Sequence, residues 1–178
     1  MEAAELKNYT YEDYLEIDKT TPDSERYELI FGEIYMMSGA SKSHQDTVLN
    51  MAYFFKTIQK KIGCETIIAP YDLKFECDNT INIVQPDIMM FCKDEDVPCL
   101  VVEVLSPSTA YKDKGVKREL YECVGIKNYL IVDAINLYVD KFVLEDKKLQ
   151  YKKTYGKNDK MFLECINEEA YVNQFFEG

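Results

Sequence analysis

The chain lacks the residue patterns of several common protein classes. It has a single histidine, His44, and none of its six cysteines forms a C-x-x-C pair, which argues against a zinc site. It also has no helix-turn-helix or zinc-finger module and no apolar run long enough to span a bilayer. Residues 1–5 are acidic and do not resemble the apolar stretch of a signal peptide. We therefore expect a cytoplasmic protein.

The cysteines lie in or beside apolar segments of the sequence. We interpret them as small buried residues in a reducing compartment. They are Cys64, Cys77, Cys92, Cys99, Cys123 and Cys165.

Positive charge is also scarce. The chain carries 21 basic and 32 acidic side chains, for a net charge of −11, which argues against a protein that simply coats nucleic acid. The excess of acidic side chains lies in residues 1–100. Residues 101–178 are nearly neutral, with twelve basic and thirteen acidic side chains. Lys112, Lys114, Lys117 and Arg118 cluster there, so we expect any phosphate-facing surface near them.

The chain has the size and composition of one globular domain. Its 178 residues, 47% of them hydrophobic and 30% charged, suffice for a sizeable core. Helical and strand patterns are interspersed without a repeat, a low-complexity tract or a linker. The sequence therefore predicts a single α/β domain over residues 1–178.

Periodicity and capping residues predict the helices. Thr10 and Asp13 form a capping-box-like start, and Gly63 and Gly125 each end a helical stripe. The predicted helices cover about residues 11–18, 43–62, 110–124 and 168–176.

Apolar runs and turn residues predict the strands. Phe31 and Gly32 form the turn of an early hairpin. The predicted strands cover residues 27–30 and 33–36 and about 65–77, 83–91, 99–105, 129–132, 137–144 and 149–155.

Two carboxylates interrupt the apolar strand patterns. Glu103 lies inside the run of residues 100–105, which otherwise has the composition of a buried strand, and Asp87 begins the apolar run before it. If segments 83–91 and 99–105 form a hairpin, Asp87 lies nearly opposite residue 103 or 104. Such a pair can hold a hard cation such as Mg²⁺. The alternatives are a strand-end acid for Asp87 and a buried ion pair with lysine or arginine for Glu103.

Several motifs occur in an order that resembles a known family. They are residues 26–33 (RYELIFGE), 44–45 (HQ), 85–87 (QPD), 102–109 (VEVLSPST) and 113–117 (DKGVK), followed by Tyr121. Over about residues 8–165 this order resembles the bacterial Uma-type family of putative restriction endonucleases, within the PD-(D/E)XK nuclease superfamily. The resemblance implies a restriction-endonuclease-like core with a central mixed β-sheet flanked by α-helices, preceded by an N-terminal helix and β-hairpin. It also implies hydrolysis of phosphodiester bonds in DNA with Mg²⁺ or Mn²⁺.

The resemblance also assigns roles to individual residues. Asp87 is implied as the main metal ligand and Glu103 as the second. The superfamily lysine should stand two residues after the second acid, but Leu105 occupies that position. We expect Lys117, on the following helix, to act as the third catalytic residue in its place. Asp113 and Tyr121 are each four residues from Lys117 and should share its helix face; the alternative is an exposed Asp113–Lys117 pair that contributes little.

Four further residues are candidates for supporting or substrate contacts. Glu33, more than Glu28, could add a metal contact from the early hairpin, and His44 near a helix start could contact phosphate. Gln85 could bind substrate or fix a strand end. The alternatives are solvated strand acids for Glu28 and Glu33 and a capping or surface histidine for His44.

Two other functions compete with a metal-dependent endonuclease. The acidic charge and the displaced lysine are also compatible with a catalytically inactive nuclease fold that binds nucleic acid or protein. The other alternative is a structural oligomer, because the tyrosine-rich strands, with Tyr138, Tyr151 and Tyr155, could form the face of a homodimer. A dimer would also suit cleavage of both DNA strands.

Overall fold

The computed structural model describes residues 8–22, 24–37, 39–93, 96–106 and 110–177. The helices are α1 (Tyr11–Thr20), α2 (Lys42–Ile62), α3 (Ala110–Lys114) and α4 (Val116–Val124), with a 3₁₀ turn at Val172–Phe175. The strands are β1 (Tyr27–Ile30), β2 (Glu33–Met36), β3 (Cys64–Ile68), β4 (Leu73–Cys77), β5 (Thr80–Val84), β6 (Ile88–Cys92), β7 (Leu100–Val104), β8 (Asn128–Asp133), β9 (Tyr138–Glu145), β10 (Lys148–Gly156), β11 (Lys160–Leu163) and β12 (Glu168–Tyr171).

The chain contains two compact units. Unit 1 comprises Met1–Met37 and Asp72–Gln85, and unit 2 comprises Ser38–Tyr71 and Pro86–Gly178. Among the described helices, none is both long and apolar enough to cross a membrane.

Unit 1 is a four-stranded antiparallel sheet with helix α1. The strand order is β2-β1-β5-β4, and the small core centres on Tyr14, Leu29 and Ile83. The predicted capping box is confirmed, because the Asp13 N–H donates to Thr10 Oγ1 while the Thr10 N–H donates to Asp13. The hairpin turn is confirmed too. Phe31 and Gly32 both have positive φ, at 48° and 79°, as a two-residue hairpin loop of the primed type requires.

Unit 2 contains the central mixed sheet, with strand order β10-β9-β8-β7-β6-β3. Only β7 and β8 among these neighbours are parallel, and they are joined through α3 and α4 because parallel neighbours need a crossover. Strand β10 forms an edge, where a register shift makes Lys152 an extra residue against β9. The predicted α/β fold with a central mixed sheet and helices is confirmed.

The two faces of β7 have different neighbours. Leu100, Val102 and Val104 join Met51 and Phe55 of α2 in the main core. Since side chains alternate along a strand, Glu103 points to the other face, where α4 lies. Strand β7 is completely buried, as its mostly apolar sequence predicts.

Two strand predictions were wrong in the same way. Segment 65–77 divides into β3 and β4, and segment 83–91 is replaced by β5 and β6, with the members of each pair in different sheets. Pro70 and Pro86 lie at the two breaks, where a residue without an N–H cannot continue a ladder. Apolar content alone does not identify the sheet to which a strand belongs.

Two helix predictions also need correction. The helix predicted over about 110–124 divides at Gly115 into α3 and α4. The predicted terminal helix over 168–176 is instead β12 followed by the 3₁₀ turn. Ala170 and Val172 are both buried, an alternation that suits a strand, and β12 pairs with β11, which the sequence did not reveal.

The interpretation of all the cysteines as ordinary buried residues was wrong for Cys64, Cys77, Cys92 and Cys123, each of which is disulfide-bonded. Cys64 and Cys92 lie directly opposite each other on β3 and β6 and form one disulfide. The pairing arises from sheet register, for which the spacing of 28 residues gives no signal.

Candidate active site

Asp87 precedes β6 and is held at the end of β7. Its Oδ2 accepts a hydrogen bond from the Val104 N–H at 2.7 Å. The Nε2 atom of His44 lies 3.3 Å from the same oxygen. Ile88 pairs with Val102, so the antiparallel register continues to Asp87 beside Glu103. The hairpin register expected from the sequence is therefore confirmed.

His44 is positioned by the start of α2. Ser41 caps this helix by accepting the His44 backbone N–H, and this places the imidazole ring against Asp87. Burial lowers the pKa of His44, but the hydrogen bond and charge of Asp87 outweigh it, helped by the Val104 backbone and the charge of Asp113, so the pKa lies above its ordinary value. His44 is buried, and the interpretation as a surface histidine was wrong.

Glu103 is buried and accepts two hydrogen bonds through one oxygen. Lys117 Nζ donates to Glu103 Oε1 at 2.8 Å, and the Tyr121 hydroxyl donates to the same atom at 2.6 Å. Both donors are on α4, which covers this face of the sheet. The buried ion pair considered for Glu103 is present, and its partner is Lys117, the residue that we expect to replace the lysine missing from position 105.

Asp113 completes the group from α3. Its Oδ1 lies 3.7 Å from Lys117 Nζ, and both side chains are almost fully buried, so the alternative of an exposed helix pair was wrong. The Tyr129 hydroxyl on β8 donates to the Asp113 backbone carbonyl at 2.9 Å. Gly115 allows the close joint between α3 and α4, because a Cβ there would lie 3.1 Å from the Tyr111 carbonyl oxygen.

Two of these contacts had no signal in the sequence. The Val104 N–H that holds Asp87 is a backbone group, which no residue type identifies. Tyr129 occurs in an apolar strand, where its ring packs edge-on against Tyr121 with centroids 5.0 Å apart. Only the fold places its hydroxyl beneath Asp113.

The donor set fits a hard cation that keeps part of its hydration. Mg²⁺ in phosphate-processing sites takes one or two carboxylates and completes its shell with water and substrate oxygens. Asp87 and Glu103 provide carboxylates of this kind at neighbouring positions. Within the described part of unit 2, no three His, Cys, Asp or Glu side chains bring ligand atoms within 4.8 Å of one another. A closed all-protein cage, which a structural zinc would need, is therefore not formed by those residues.

The remaining candidates belong to unit 1. Gln85 follows β5, where its N–H donates to the buried Glu28 and its side-chain amide donates to Asp72, as expected of a residue that fixes a strand end. Glu28 is fully buried, so its interpretation as a solvated acid was wrong. Glu33 is exposed and accepts the Tyr35 hydroxyl. Residues 107–109 of the VEVLSPST motif lie outside the described residues.

Comparison with known proteins gives concordant results. The pattern of the Uma2 family, described as a putative restriction endonuclease family, matches residues 11–169. The uncharacterized protein slr1290 of Synechocystis sp. is 31% identical over 176 residues, covering 94% of this chain and 90% of that protein. A second uncharacterized Synechocystis protein, sll1609, is 26% identical over 154 residues, covering 80% of this chain and 84% of its own.

A solved structure shares the fold. The crystal structure of a putative nuclease of the DUF820 group from Anabaena variabilis superposes with a TM-score of 0.70 at 13% identity, covering 94% of this chain and 97% of that one. The architecture is therefore that of a restriction-endonuclease-like protein. On the match over residues 11–169, this chain belongs to the Uma2 putative restriction endonuclease family.

Proposed function

We propose that this protein is an endonuclease that hydrolyses phosphodiester bonds of DNA with a divalent cation, Mg²⁺ or Mn²⁺, held by Asp87 and Glu103. The observation that carries the proposal is the buried contact of Lys117 with Glu103 at 2.8 Å. This contact supports the proposal because Lys117, from a different element, could replace the lysine missing from position 105. Asp87, Glu103 and Lys117 would then serve as the three catalytic groups of the superfamily.

Backbone and side-chain groups of the protein would position the two carboxylates before substrate binds. The Val104 N–H and His44 hold the Asp87 carboxylate, and the Tyr121 hydroxyl fixes that of Glu103. A bound cation would polarise a phosphoryl oxygen and lower the pKa of a water molecule. Lys117 has three N–H donors and would orient the attacking water or stabilise the charge that develops on phosphate.

Cleavage of plasmid and single-stranded DNA with Mg²⁺ or Mn²⁺ tests this proposal. Asp87→Asn, Glu103→Gln and Lys117→Met should each reduce the rate by about 100-fold or more, in the range for loss of one charge-stabilising group. Lys141→Met is the matched control, because Lys141 is an equally buried lysine of unit 2 whose acid partner is Glu164. Cleavage unchanged in all three site variants would identify a contaminant and reject the proposal.

Binding of the cation can be measured without any substrate. A ligand that binds only the folded state stabilises it by about 2.7 kcal/mol at 100 times its Kd. Mg²⁺ or Mn²⁺ should therefore raise the unfolding midpoint of the wild type and of Lys141→Met. The increase should vanish in Asp87→Asn. An equal increase in Asp87→Asn would place the cation elsewhere.

The burial of Lys117 also supports a second function, that of a non-catalytic binding module. Lys117 is buried between two carboxylates, an arrangement that would also suit a catalytically inactive nuclease fold that binds nucleic acid or protein. In that case DNA would bind without being cut, and the midpoint would not respond to Mg²⁺ or Mn²⁺. Those two results together would replace the endonuclease proposal with the binding module.

We further propose a cytoplasmic protein that acts as one nuclease-like domain and assembles as a homodimer. Tyr151 on β10 is 55% exposed and supports a dimer face formed with Tyr138 and Tyr155. Sedimentation that shows only monomer at high concentration would reject the dimer.

A further inference from the structure

Four cysteines of unit 2 form a row of neighbouring sulfur atoms. Cys64 and Cys92 share the disulfide between β3 and β6. The Sγ atom of Cys99, which immediately precedes β7, lies 3.2 Å from Cys92 Sγ. Cys165 is in turn hydrogen-bonded to Cys99. Cys99 and Cys165 are thiols, so a disulfide and two thiols lie side by side.

The sulfurs differ in their access to solvent. Cys92 and Cys99 are 7% and 2% exposed, whereas Cys64 is half-buried. Cys64 lines an open depression of about 460 Å³, together with Glu65, Phe91 and other residues of unit 2. A dissolved reagent can therefore reach the Cys64 end of the row, whereas Cys92 and Cys99 are enclosed by the protein.

We propose that Cys64, Cys92 and Cys99 form a disulfide-exchange site, which presents the Cys64 thiol to small thiols and disulfides. The Cys99 thiolate attacks Cys92 Sγ, so a Cys92–Cys99 bond forms while the Cys64–Cys92 bond breaks. The electron pair leaves on Cys64, which takes up the proton that Cys99 gave up, and no external oxidant is needed. Once the Cys64 thiol has lost this proton to solvent, its thiolate in the depression can attack a small disulfide, forming a mixed disulfide and releasing a thiolate.

Cys165 supports the attacking role of Cys99. The hydrogen bond with Cys99, followed by burial, raises the pKa of Cys165 far above its ordinary value. A protonated Cys165 can donate its S–H to Cys99 and stabilise the thiolate that attacks. In the reducing compartment expected for this chain, disulfides usually serve transient or redox-sensing roles, which agrees with an exchangeable bond.

Labelling of the non-reduced full-length chain with N-ethylmaleimide tests the exchange. Digestion after lysine and arginine and before aspartate separates Cys64, Cys92 and Cys99 into three peptides, so mass spectrometry can assign each bond. The wild type should accumulate labelled Cys64 together with a Cys92–Cys99 link. In Cys99→Ala, labelling of Cys64 should be at least about 10-fold slower, because its bond to Cys92 has no internal attacker.

Three controls make the result decisive. Cys165→Ala retains Cys99 and should still show the Cys92–Cys99 link. Cys99→Ser, closer in size to cysteine, replaces Cys99→Ala if circular dichroism shows that the alanine variant does not fold. Glutathione disulfide, used as the small-disulfide probe, should add to Cys64 in the wild type and not in the Cys99 variants. Equal labelling of Cys64 with and without Cys99, or a Cys64–Cys92 bond that persists unchanged in the wild type, would overturn the proposal.

Discussion

Two lysine–carboxylate pairs of unit 2 have similar geometry and different surroundings. Lys117 lies 2.8 Å from Glu103, and Lys141 lies 2.6 Å from Glu164; both lysine side chains are 3% exposed. The acids differ, since the Glu103 side chain is 5% exposed and that of Glu164 is 43% exposed. Both members of the Lys117–Glu103 pair are shielded from water, whereas Glu164 of the other pair is partly exposed to it.

The partners of the two lysines differ as well. Lys141 also donates to the Phe162 carbonyl, and Glu164 accepts from the Asn128 amide, so neutral groups complete that pair. Lys117 instead faces a second carboxylate, Asp113, at 3.7 Å. The two pairs therefore differ in the acids close to the lysine: two buried carboxylates lie near Lys117, and one partly exposed carboxylate lies near Lys141. Under the proposed function, the two buried carboxylates are the feature that would favour a bound cation.

The largest expected effect on stability is from Lys117→Met. This change removes the Lys117 ammonium from the two buried acids Glu103 and Asp113, and breaking a buried ion pair costs about 3–5 kcal/mol. Urea unfolding at neutral pH measures the loss. Adding Glu103→Gln to the same chain should recover part of it, because the coupled pair is then removed as a whole. A loss below about 1 kcal/mol would mean that water reaches the site and stabilises these acids.

A smaller effect is expected from Lys141→Met. Its loss leaves the Phe162 carbonyl without this donor, at a cost of about 1–3 kcal/mol, while Glu164 can turn to water. DNA cleavage and the response to Mg²⁺ should stay at wild-type levels. If Lys141→Met abolished cleavage while the protein stayed folded, the distinction between the two pairs would fail.

The smallest effect is the pH dependence contributed by Glu164. Burial raises the pKa of Glu164, but the hydrogen bonds from Lys141 and Asn128 lower it by a larger amount. The pKa in the folded state therefore lies below its ordinary value. The stabilisation is present above the unfolded value of about 4.3 and is lost as pH falls through the folded pKa. Glu164→Gln should therefore flatten the acid side of the stability profile, below about pH 5. The same substitution in a Lys141→Met background should have less effect, since the main partner is gone.

Local signals predicted a large part of the fold. The capping box at Thr10 and the primed turn at Phe31 depend on neighbours in sequence, so propensity and turn chemistry were enough to identify them. The divisions of segments 65–77 and 83–91 depend on which sheet accepts each strand. That choice is made by tertiary packing, to which an apolar run contributes the same signal in either sheet.

The candidate site shows the same distinction between features with a local sequence signal and features that depend on tertiary packing. Asp87 and Glu103 stand out in the sequence because each is an acid in an apolar run, and the hairpin register could be predicted from the spacing. The contact of His44 with Asp87 crosses 43 positions of the chain and has no periodic signature. The burial of Asp113 could not be predicted either, because the break at Gly115 redirects the helix that carries it.

Strand β10 has a consequence for how copies of this protein can meet. A strand at the border of a sheet offers unpaired backbone groups to a second chain, and charged side chains and bulges discourage such docking. Here Lys148, Lys152 and Lys153 lie along β10, and the extra residue Lys152 interrupts its regular pleat. These lysines are ion-paired with Glu122, Glu145 and Asp159, so a second sheet joining edge to edge would have to displace charged, solvated groups. The charged side chains and the interrupted pleat together disfavour growth of a continuous sheet along this edge.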